Sequence, residues 1–298
     1  MKDADRPPAA PFVLAVGEVL WDLLPAGKQL GGATANFAYH ARVLGADALL
    51  VSRVGADALG AEILERLGCL GLRADGVTVD PAVPTGTVEV SLDAGGTPTF
   101  VILENVAWDF IPAVPAVLDA AARADVVCFG SLAQRAPVSN TSIRAILRAA
   151  PPGAVRVFDI NLRQRFWSAA VILDSLALAD VLKLNHEELP VLAGLLGLTG
   201  GEEALVRELA RRFRLRAVAL TKGAEGSLLL VGNELVSRPA VPVVVADSVG
   251  AGDSYTAVLA LGLLAGDSPV RIIERAHQVA AYVCSQPGAT PPMPAPGG

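Results

Sequence analysis

The stretch Asp247-Ser248-Val249-Gly250-Ala251-Gly252-Asp253-Ser254 sets both the fold and the chemistry expected of this chain. It follows an apolar, β-branched run at residues 241–245 and precedes an apolar helical pattern at residues 255–264. This order predicts a strand, a turn of small residues and then a helix, whose first N–H groups would point into open space and bind an anion. Gly250 and Gly252 would let a ligand approach the backbone closely, because glycine has no Cβ.

The carboxylate of Asp253 lies among those N–H groups and has two interpretations. It could cap the helix, as short acidic side chains often do. It could instead be a general base, which removes a proton from a hydroxyl while the N–H groups of residues 250–253 hold the phosphoryl group that the hydroxyl attacks. The stretch on its own leaves both interpretations open.

The composition bounds the class of protein. The chain has 298 residues, of which 52% are hydrophobic, and this suits one large α/β domain with a small appendage. The net charge of −6 and the pI near 5.2 argue against nucleic acid or an anionic membrane surface as the main partner. Residues 1–11 lack the apolar core of a signal peptide, and no long uncharged apolar run predicts a membrane span. Three widely separated cysteines fit a reducing cytoplasm.

Polar residues follow the predicted strands at their carboxyl ends. Residues 12–16 form an apolar run that predicts a buried first strand, and Asp22 follows it. The stretch Asp159-Ile160-Asn161-Leu162-Arg163 follows another predicted strand. Ligands bind beyond the carboxyl ends of strands in open α/β sheets, so Asp22 and Arg163 are candidates to contact one. The alternatives are a carboxylate that stabilises a loop and an arginine in a surface ion pair.

The stretch Leu30-Gly31-Gly32-Ala33-Thr34-Ala35-Asn36 precedes a helix predicted at residues 37–44. Two glycines and a polar side chain at the start of a helix offer a compact surface for a polyol. Alternatively, the stretch is an ordinary start of a helix that Thr34 caps.

Residues 85–92 and 97–103 alternate in the manner of strands around a glycine-rich turn at residues 93–96. A block of strands inside a chain that otherwise alternates strand and helix predicts a small sheet that stands off the main domain. The alternative is an ordinary hairpin insertion in which Trp108 fills the core.

Two further turns have ordinary structural interpretations. Asn185-His186-Glu187-Glu188 follows a short strand that contains Lys183, and alone it predicts a helix start with an asparagine cap and acids in the first turn. Position 190 is proline, so the His-Glu-x-x-His zinc pattern is incomplete. Thr221-Lys222-Gly223-Ala224-Glu225-Gly226 alone predicts a hairpin turn.

Taken together, these stretches resemble the ribokinase/PfkB family of carbohydrate kinases. Residues 247–253 resemble the family's second signature, Asp-Thr-x-Gly-Ala-Gly-Asp, with Ser248 in place of threonine. Residues 30–36 resemble the first signature, although Thr34 departs from the usual small residue or proline. The likeness is strongest to the fructokinase branch, through residues 17–22, residues 107–109 and the tail.

The resemblance implies a ribokinase-like fold, a three-layer α/β/α sandwich with a mainly parallel central sheet and a small β-sheet lid. Residues 12–291 would form a single kinase domain, with lid strands mainly from about residues 17–30 and 83–108. Residues 1–11 and 292–298 would be flexible tails.

The resemblance also implies an activity: transfer of the γ-phosphoryl group of ATP to a primary hydroxyl of a small sugar, with D-fructose as the first choice. Ribose, 2-keto-3-deoxygluconate or another small sugar are alternative substrates. A non-catalytic regulator that binds a sugar or nucleotide is an alternative of another class. The family further points to ATP, Mg²⁺ and K⁺ as cofactors, to a homodimer formed through the lid, and to the cytoplasm.

The positions of the family motifs imply a role for each site residue. The catalytic group comprises a general base and the anion hole beside it, namely Asp253 with Gly250, Ala251 and Gly252. The sugar contacts would be Asp22, Gly31, Gly32, Asn36 and Arg163. The nucleotide contacts would be Lys183, Asn185, Thr221, Gly223, Gly226 and His277. Glu188 would contact Mg²⁺ through water, and Asp247 would bind a monovalent cation.

Overall fold

A computed structural model describes residues 10–24, 27–92 and 98–294 of the chain. The turn predicted at residues 93–96 and the outer parts of the two predicted tails lie outside these residues. The strands are β1 (Phe12–Val16), β2 (Leu20–Leu24), β3 (Gly27–Gly31), β4 (Asp47–Gly55), β5 (Val77–Asp80), β6 (Thr87–Leu92), β7 (Pro98–Ile102), β8 (Val126–Gly130), β9 (Val155–Asp159), β10 (Val181–Asn185), β11 (Ala217–Thr221), β12 (Ser227–Val231) and β13 (Glu234–Arg238). The α-helices are α1 (Ala33–Val43), α2 (Ala58–Cys69), α3 (Pro115–Ala121), α4 (Pro137–Ala149), α5 (Ala169–Leu178), α6 (Glu188–Leu196), α7 (Glu202–Phe213), α8 (Ala251–Ala265) and α9 (Pro269–Cys284).

The large sheet has the strand order β13-β12-β11-β10-β9-β8-β1-β4-β5. All neighbours from β11 to β5 run parallel, and β12 and β13 add an antiparallel edge. The parallel strands therefore bring their carboxyl ends to one edge of the sheet. That edge carries the residues that end β9, β10 and β11, namely Asp159, Asn185 and Thr221.

Strand β1 shows why this sheet is covered on both faces. Leu14 and Val16 pack into the core made with α3 to α7, whereas Val13 and Ala15 pack into the core made with α1, α2, α8 and α9. All four side chains are fully buried. Alternate side chains of a strand point to opposite faces, so an uninterrupted apolar strand needs a helical layer on each side. The predicted three-layer sandwich with a mainly parallel sheet is confirmed.

The small sheet has the order β3-β2-β6-β7, so its strands come from residues 20–31 and 87–102. Its two halves meet where β2 pairs in parallel with β6, with Trp21 opposite Thr87. Trp21 is buried, and its indole N–H donates to the carbonyl of Leu59 in α2 at 3.0 Å. Trp108 is fully buried, as the core-filling alternative requires. The small sheet is thus joined to the main layer by both hydrogen bonding and packing.

The strand predicted at residues 241–245 is wrong. These residues are irregular, and the side chain of Val244 is 90% exposed. The strand before α8 in the chain is β13, which pairs with β12 and forms the edge of the sheet. Within the described part of the chain no strand pairs with residues 241–245, and β-branched residues without a partner strand gain little from an extended conformation.

The helix predicted at residues 37–44 begins four residues earlier than predicted, and the alternative in which Thr34 caps it is wrong. Helix α1 begins at Ala33 with Gly32 as its N-cap, and the Thr34 hydroxyl donates to the backbone carbonyl of Glu18 at 2.9 Å. Gly32 has φ of 109°, and a Cβ there would lie 2.4 Å from the Glu18 carbonyl oxygen. The earlier start brings Asn36 to the N-terminal end of the helix, beside the carboxyl end of β1.

Among the described residues, no helix combines the length and apolar character needed to cross a membrane.

Candidate active site

The turn before α8 is built to expose backbone N–H groups. Gly250 is the N-cap of the helix and has φ of 82°, a left-handed conformation that favours glycine. No side chain caps α8, so the cap interpretation of Asp253 fails. Asp253 instead lies in the first turn of the helix. The N-terminus of a 15-residue helix attracts negative charge. The Ala251 N–H donates to the Ser248 carbonyl at 3.4 Å, whereas the N–H groups of Gly250, Gly252 and Asp253 have no partner among the described residues and remain available for an anion.

Asp253 has the properties of a proton acceptor. Its Oδ2 accepts a hydrogen bond of 2.8 Å from the side-chain amide of Asn36. Burial, followed by the nearby charge of Asp159, raises the pKa of Asp253 to about 7, although the Asn36 hydrogen bond opposes the rise. A carboxyl group with a pKa near neutrality can both accept and release a proton under physiological conditions.

A buried lysine lies beneath the turn. The Lys183 ammonium donates to Asp159 at 3.1 Å, and a Cβ on Gly252 would lie only 3.2 Å from its Nζ. Burial alone would lower the pKa of Lys183, but the carboxylates of Asp159, Glu188 and Asp253 outweigh burial and raise it. The lysine therefore stays charged, and it adds a positive charge to the anion-binding end of α8.

Strands β2 and β3 and the start of α1 carry the predicted sugar contacts, and Asn36 of α1 joins them to the turn before α8. Asp22 lies on β2, and its Oδ2 is so close to Gly31 that a Cβ on the glycine would lie 2.3 Å away. Burial raises the pKa of Asp22 to about 6, and the charge of Arg163 partly opposes this. Gly31 thus lies against Asp22, and Gly32 and Asn36 follow it at the start of α1. Their role as sugar contacts stays a prediction.

Arg163 follows β9 and has an exposed side chain. The pKa values of Glu18, Asp22 and Asp253 are raised by burial, and the positive charge of Arg163 opposes each rise. The guanidinium therefore lies near all three carboxyl groups. Its hydrogen bond of 3.4 Å goes to the carbonyl of Leu162, and within the described chain it forms no ion pair shorter than 4.0 Å. The alternative in which Arg163 forms a surface ion pair is therefore not supported among the described residues.

The turn at residues 185–188 is an internally satisfied helix start. The Asn185 side-chain oxygen accepts N–H groups of Glu187 and Glu188, both at 2.9 Å. The Glu188 carboxylate accepts the N–H groups of Asn185 and Leu162, both at 2.8 Å. Burial raises the pKa of Glu188, while the charge of Lys183 opposes the rise. Asn185 thus makes hydrogen bonds of the kind predicted for a cap, although α6 itself begins at Glu188 with Glu187 as its N-cap. The buried glutamate lies near the lysine.

The remaining predicted nucleotide contacts lie at the edge of the sheet where β11 ends. Thr221 ends β11, and its hydroxyl donates to the Leu184 carbonyl at 3.4 Å. Gly223 is open, whereas a Cβ on Gly226 would lie 2.0 Å from the Arg238 carbonyl oxygen. His277 is 8% exposed, and its Nε2 lies 2.8 Å from the Ser227 hydroxyl. The imidazole is therefore held inside the protein by a neighbour, rather than presented to a ligand.

Asp247 ties the turn to the C-terminal tail. One of its oxygens accepts the N–H of Val249 at 3.0 Å and the other accepts the N–H of Gly288 at 3.1 Å. Each carboxylate oxygen keeps a free lone pair, so the side chain retains the capacity to contact a cation.

Magnesium is the metal that the resemblance implies, and the donor set fits a shared site. Across the described ranges no group of three or more His, Cys, Asp or Glu side chains could hold a metal ion by itself. Mg²⁺ is commonly bound by one or two carboxylates together with substrate phosphates and water. Glu188 lies near Lys183 and supplies one such carboxylate. The residues therefore fit a magnesium ion that arrives with a nucleotide.

Sequence reasoning assigned no role to several polar groups that the structure places at the site. Asp159 accepts from Lys183 and from the Thr256 hydroxyl, the latter at 2.8 Å. Glu18 is buried, and its carboxylate accepts the N–H of Ala33 at the start of α1 at 3.1 Å. Asp159 belongs to a stretch that resembles a family motif and follows a strand, which was a usable signal. Glu18 had the signal of its place directly after β1.

The chain matches the pfkB family of carbohydrate kinases over residues 25–296. It is 32% identical over 286 residues to the fructokinase of Klebsiella pneumoniae, which covers 91% of each protein. It is 28% identical over 278 residues to the 2-dehydro-3-deoxygluconokinase of Thermoproteus tenax, covering 90% of this chain and 83% of that protein.

Two solved structures share the fold over nearly their whole length. The fructokinase of Xylella fastidiosa with bound ATP superposes with a TM-score of 0.81 at 25% identity and covers 94% of each chain. A double mutant of the fructokinase of Vibrio cholerae O395, in a form with fructose, ADP and potassium ion bound, has a TM-score of 0.79 at 27% identity and covers 96% of each chain.

Proposed function

Because the chain belongs to the pfkB family of carbohydrate kinases and is thus a phosphotransferase that acts on a sugar hydroxyl, we propose that its substrate is D-fructose and that Asp253 is the general base. The contact that supports this most directly is the 2.8 Å hydrogen bond between Asn36 and Asp253. This bond joins the start of α1, which carries the predicted sugar contacts, to the N-terminus of α8, which carries the predicted anion hole. A hydroxyl bound near Asn36 would meet the base and the anion hole together.

The sugar would be held by the side chains and backbone at the small-sheet end. Asp22 accepts hydrogen bonds from sugar hydroxyls when ionised, and the missing Cβ atoms of Gly31 and Gly32 leave room for the ring. Asn36 contributes a side-chain oxygen that is buried and without a partner among the described residues. That oxygen is available to a hydroxyl donor of the substrate.

Asp253 takes the proton of the attacking primary hydroxyl. The N–H groups of Gly250 to Asp253 and the Lys183 ammonium stabilise the charge on the transferred phosphoryl group. Glu188 would hold a magnesium ion through water, and the ion would supply further neutralisation of the phosphoryl oxygens. Phosphoryl transfer depends mainly on such positioning and electrostatic stabilisation.

ATP would extend from the anion hole toward the end of β11, past Asn185, Thr221, Gly223 and Gly226. The ATP-bound structure of the Xylella fastidiosa fructokinase supports ATP as the phosphoryl donor. The potassium ion in the Vibrio cholerae structure supports a monovalent cation, which we assign to Asp247. His277 is the weakest of these nucleotide assignments, since Ser227 already uses its Nε2.

A sugar acid such as 2-keto-3-deoxygluconate is the second candidate, and Arg163 is the observation that favours it. The guanidinium is exposed near Asp22 and is not engaged by a carboxylate of the described chain. It could bind the carboxylate of a sugar acid, which fructose lacks. The 2-dehydro-3-deoxygluconokinase relative is consistent with this alternative. Ribose is a further option.

We also propose that residues 12–291 act as one domain in which the small sheet is the lid, and that two copies associate through that sheet. The outer strands β3 and β7 have free edges within the small sheet, and the side chain of Val101 is 46% exposed. Light scattering of the intact protein and of a Val101→Lys variant would test the dimer. The variant should be monomeric, and an unchanged mass would remove the proposal.

Three free cysteines, of which Cys128 is fully buried, support the cytoplasm as the location, because such thiols persist in a reducing compartment.

The experiment that tests the function measures ATP consumption by the purified protein with a panel of sugars, in the presence of Mg²⁺ and K⁺. The Asp253→Asn variant serves as the control. Turnover on fructose that the variant loses is the expected result. Turnover only on 2-keto-3-deoxygluconate or ribose would replace the substrate and keep the base. Binding of sugar or ATP without turnover on any sugar would favour a non-catalytic regulator.

A further inference from the structure

Three side chains on one face of α1 contact the catalytic region. Asn36, Tyr39 and His40 are spaced at i, i+3 and i+4, so they lie on the same side of the helix. Asn36 donates to Asp253. Tyr39 donates from its hydroxyl to the Pro291 carbonyl at 2.6 Å, and His40 Nε2 lies 3.0 Å from the Ala289 carbonyl oxygen. The helix that carries a sugar contact therefore also holds the C-terminal tail.

The C-terminal tail contacts the first residue of the anion hole. We call residues 288–291 the tail strap. A Cβ on Gly250 would lie 2.5 Å from the Ala289 carbonyl oxygen and 2.8 Å from its Cα, so Gly250 and Ala289 are in direct backbone contact. Asp247 binds the N–H of Gly288 from the other side. The strap thus spans the first residue of the anion hole and is fixed at both of its ends.

His40 is well suited to hold this strap. It is fully buried, and burial lowers its pKa to about 4, although the Ala289 carbonyl opposes the shift. The ring is therefore neutral at physiological pH and carries one N–H. A carbonyl oxygen only accepts hydrogen bonds, so that N–H is on Nε2 and points at Ala289. Nδ1 is buried and has no partner among the described residues, so it does not compete for the proton.

We propose that His40 is a positioning residue for phosphoryl transfer, which holds the Ala289 carbonyl and thereby fixes Gly250 at the mouth of the anion hole. The inference rests on the proposed function, because it assumes that the N–H groups of residues 250–253 bind the transferring group. Such donors act only when they are held at hydrogen-bond distance from the developing charge. His40 thus acts on the reaction through one carbonyl and not by contact with a reacting group.

The test compares three substitutions of the same side chain. His40→Gln keeps an N–H donor at nearly the reach of Nε2, His40→Phe keeps the ring volume without a donor, and His40→Ala removes both. We expect His40→Phe and His40→Ala to lower kcat by about tenfold or more, because the anion hole loses its fixed geometry. The KM for the sugar should change less than about threefold, since Asp22, Gly32 and Asn36 remain in place. His40→Gln should recover most of kcat.

Two controls separate positioning from folding. The melting temperature of each variant identifies the temperature range in which it is folded, and kcat is compared only there. Tyr39→Phe removes a bond to the same strap, but at Pro291, two residues beyond the contact with Gly250. It should lower kcat less than His40→Phe does. Normal kcat in folded His40→Phe and His40→Ala would overturn the proposal, as would a loss in His40→Gln equal to that in His40→Phe.

Amide hydrogen exchange supplies a measurement that does not depend on activity. Peptides that cover residues 247–254 and 286–292 should exchange faster in His40→Phe than in the wild type and in His40→Gln. If the wild type phosphorylates no sugar, the proposed function fails while this exchange result still decides whether His40 restrains the turn. Unchanged exchange in both peptides would overturn the restraint even if the protein is an active kinase.

Discussion

Asp253 and Glu188 occupy equivalent local positions and end with different chemistry. Each lies in the first turn of a helix at the carboxyl edge of the sheet, and burial raises the pKa of each. Both Glu188 oxygens accept backbone N–H groups at 2.8 Å. Asp253 accepts from one side chain, Asn36, and α8 has no side-chain cap. One acid is used to build its turn, and the other is left available for a proton.

The difference teaches that a local motif does not decide whether an acid is structural or catalytic. Asn185 caps the start of α6, so Glu188 is enclosed by its own turn and by the Leu162 N–H. At α8 the N-cap is Gly250, which has no side chain to accept a hydrogen bond. Asp253 does not cap the helix either. Substitutions at the two turns should therefore separate catalysis from stability.

The largest effect is expected from Asp253→Asn. Asparagine keeps the size of the side chain and can still accept from Asn36, but it cannot take the proton. We expect kcat to fall by about 10³-fold, within the range found for loss of a general base. Steady-state kinetics with the phosphorylated sugar measure this, and circular dichroism checks the fold. Turnover within threefold of the wild type would remove the contrast between the two acids.

Gly250→Ala comes next. The left-handed φ of 82° and the 2.5 Å approach to Ala289 leave no room for a Cβ, so the turn must shift. We expect kcat to fall by about 10²-fold, as for loss of one oxyanion-type donor, and the free energy of unfolding to fall by about 1–2 kcal/mol.

The matched control is Gly194→Ala in α6, where an added Cβ would meet no atom of another described residue within 4 Å. It should leave kcat unchanged and raise the free energy of unfolding by about 0.5–1 kcal/mol. Equal losses of activity in Gly250→Ala and Gly194→Ala would contradict a specific role of the turn before α8 in catalysis.

The pH dependence sharpens the comparison within the wild type. The base must be ionised, so kcat/KM should fall by about tenfold per unit as pH decreases below the Asp253 pKa of about 7. A pH series at constant ionic strength measures it. A flat profile between pH 5.5 and 8 would contradict a base with that pKa.

The same titration affects stability with a definite sign. A carboxyl whose pKa is raised from 3.8 to about 7 binds more protons in the folded state, so stability falls as pH rises through that window. The Asp253→Asn variant has no carboxyl group to ionise at this position, so it does not lose stability in this way as pH rises. The variant should be more stable than the wild type at pH 8, and this difference should shrink as pH falls toward 4.

The smallest effect on turnover is expected from Glu188→Gln. Glutamine has one acceptor oxygen in place of two, so either Asn185 or Leu162 loses the acceptor for its N–H. We expect the free energy of unfolding to fall by about 1–3 kcal/mol. The Mg²⁺ concentration for half-maximal rate should rise, and kcat should fall far less than in Asp253→Asn. Urea titration and a magnesium series measure these. The exposed neighbour provides the control, since Glu187→Gln should change neither quantity.

Much of the fold could be predicted from the order of apolar runs. The bounds predicted for the strand at residues 12–16 match those of β1. The continuous apolar sequence of β1 requires burial on both faces, which a parallel sheet between helical layers provides. Residues 241–245 had the same composition, but the prediction failed because strand formation also needs a neighbouring strand.

The candidate site was predictable where glycines and an acid begin a helix. Gly250 and Asp253 are of this kind, because a left-handed N-cap and a free helix start are local properties. His40 was not assigned a role, since it is a single polar residue in an apolar setting, and Glu18 was not assigned one although it follows the end of β1. Their importance lies in contacts with Ala289 and Ala33, and no spacing in the sequence encodes those contacts.

The sequence by itself determined the layered α/β architecture, the glycine turn before α8 and the family of carbohydrate kinases, because periodicity and short motifs are local. Only the tertiary structure decided which acid keeps a free oxygen and which histidine holds the tail. Asn36 reaches Asp253 across 217 residues of chain, and His40 reaches Ala289 across 249. Hydrogen bonding and burial at such separations set the pKa and the availability of each group, and they exist only when the chain has folded.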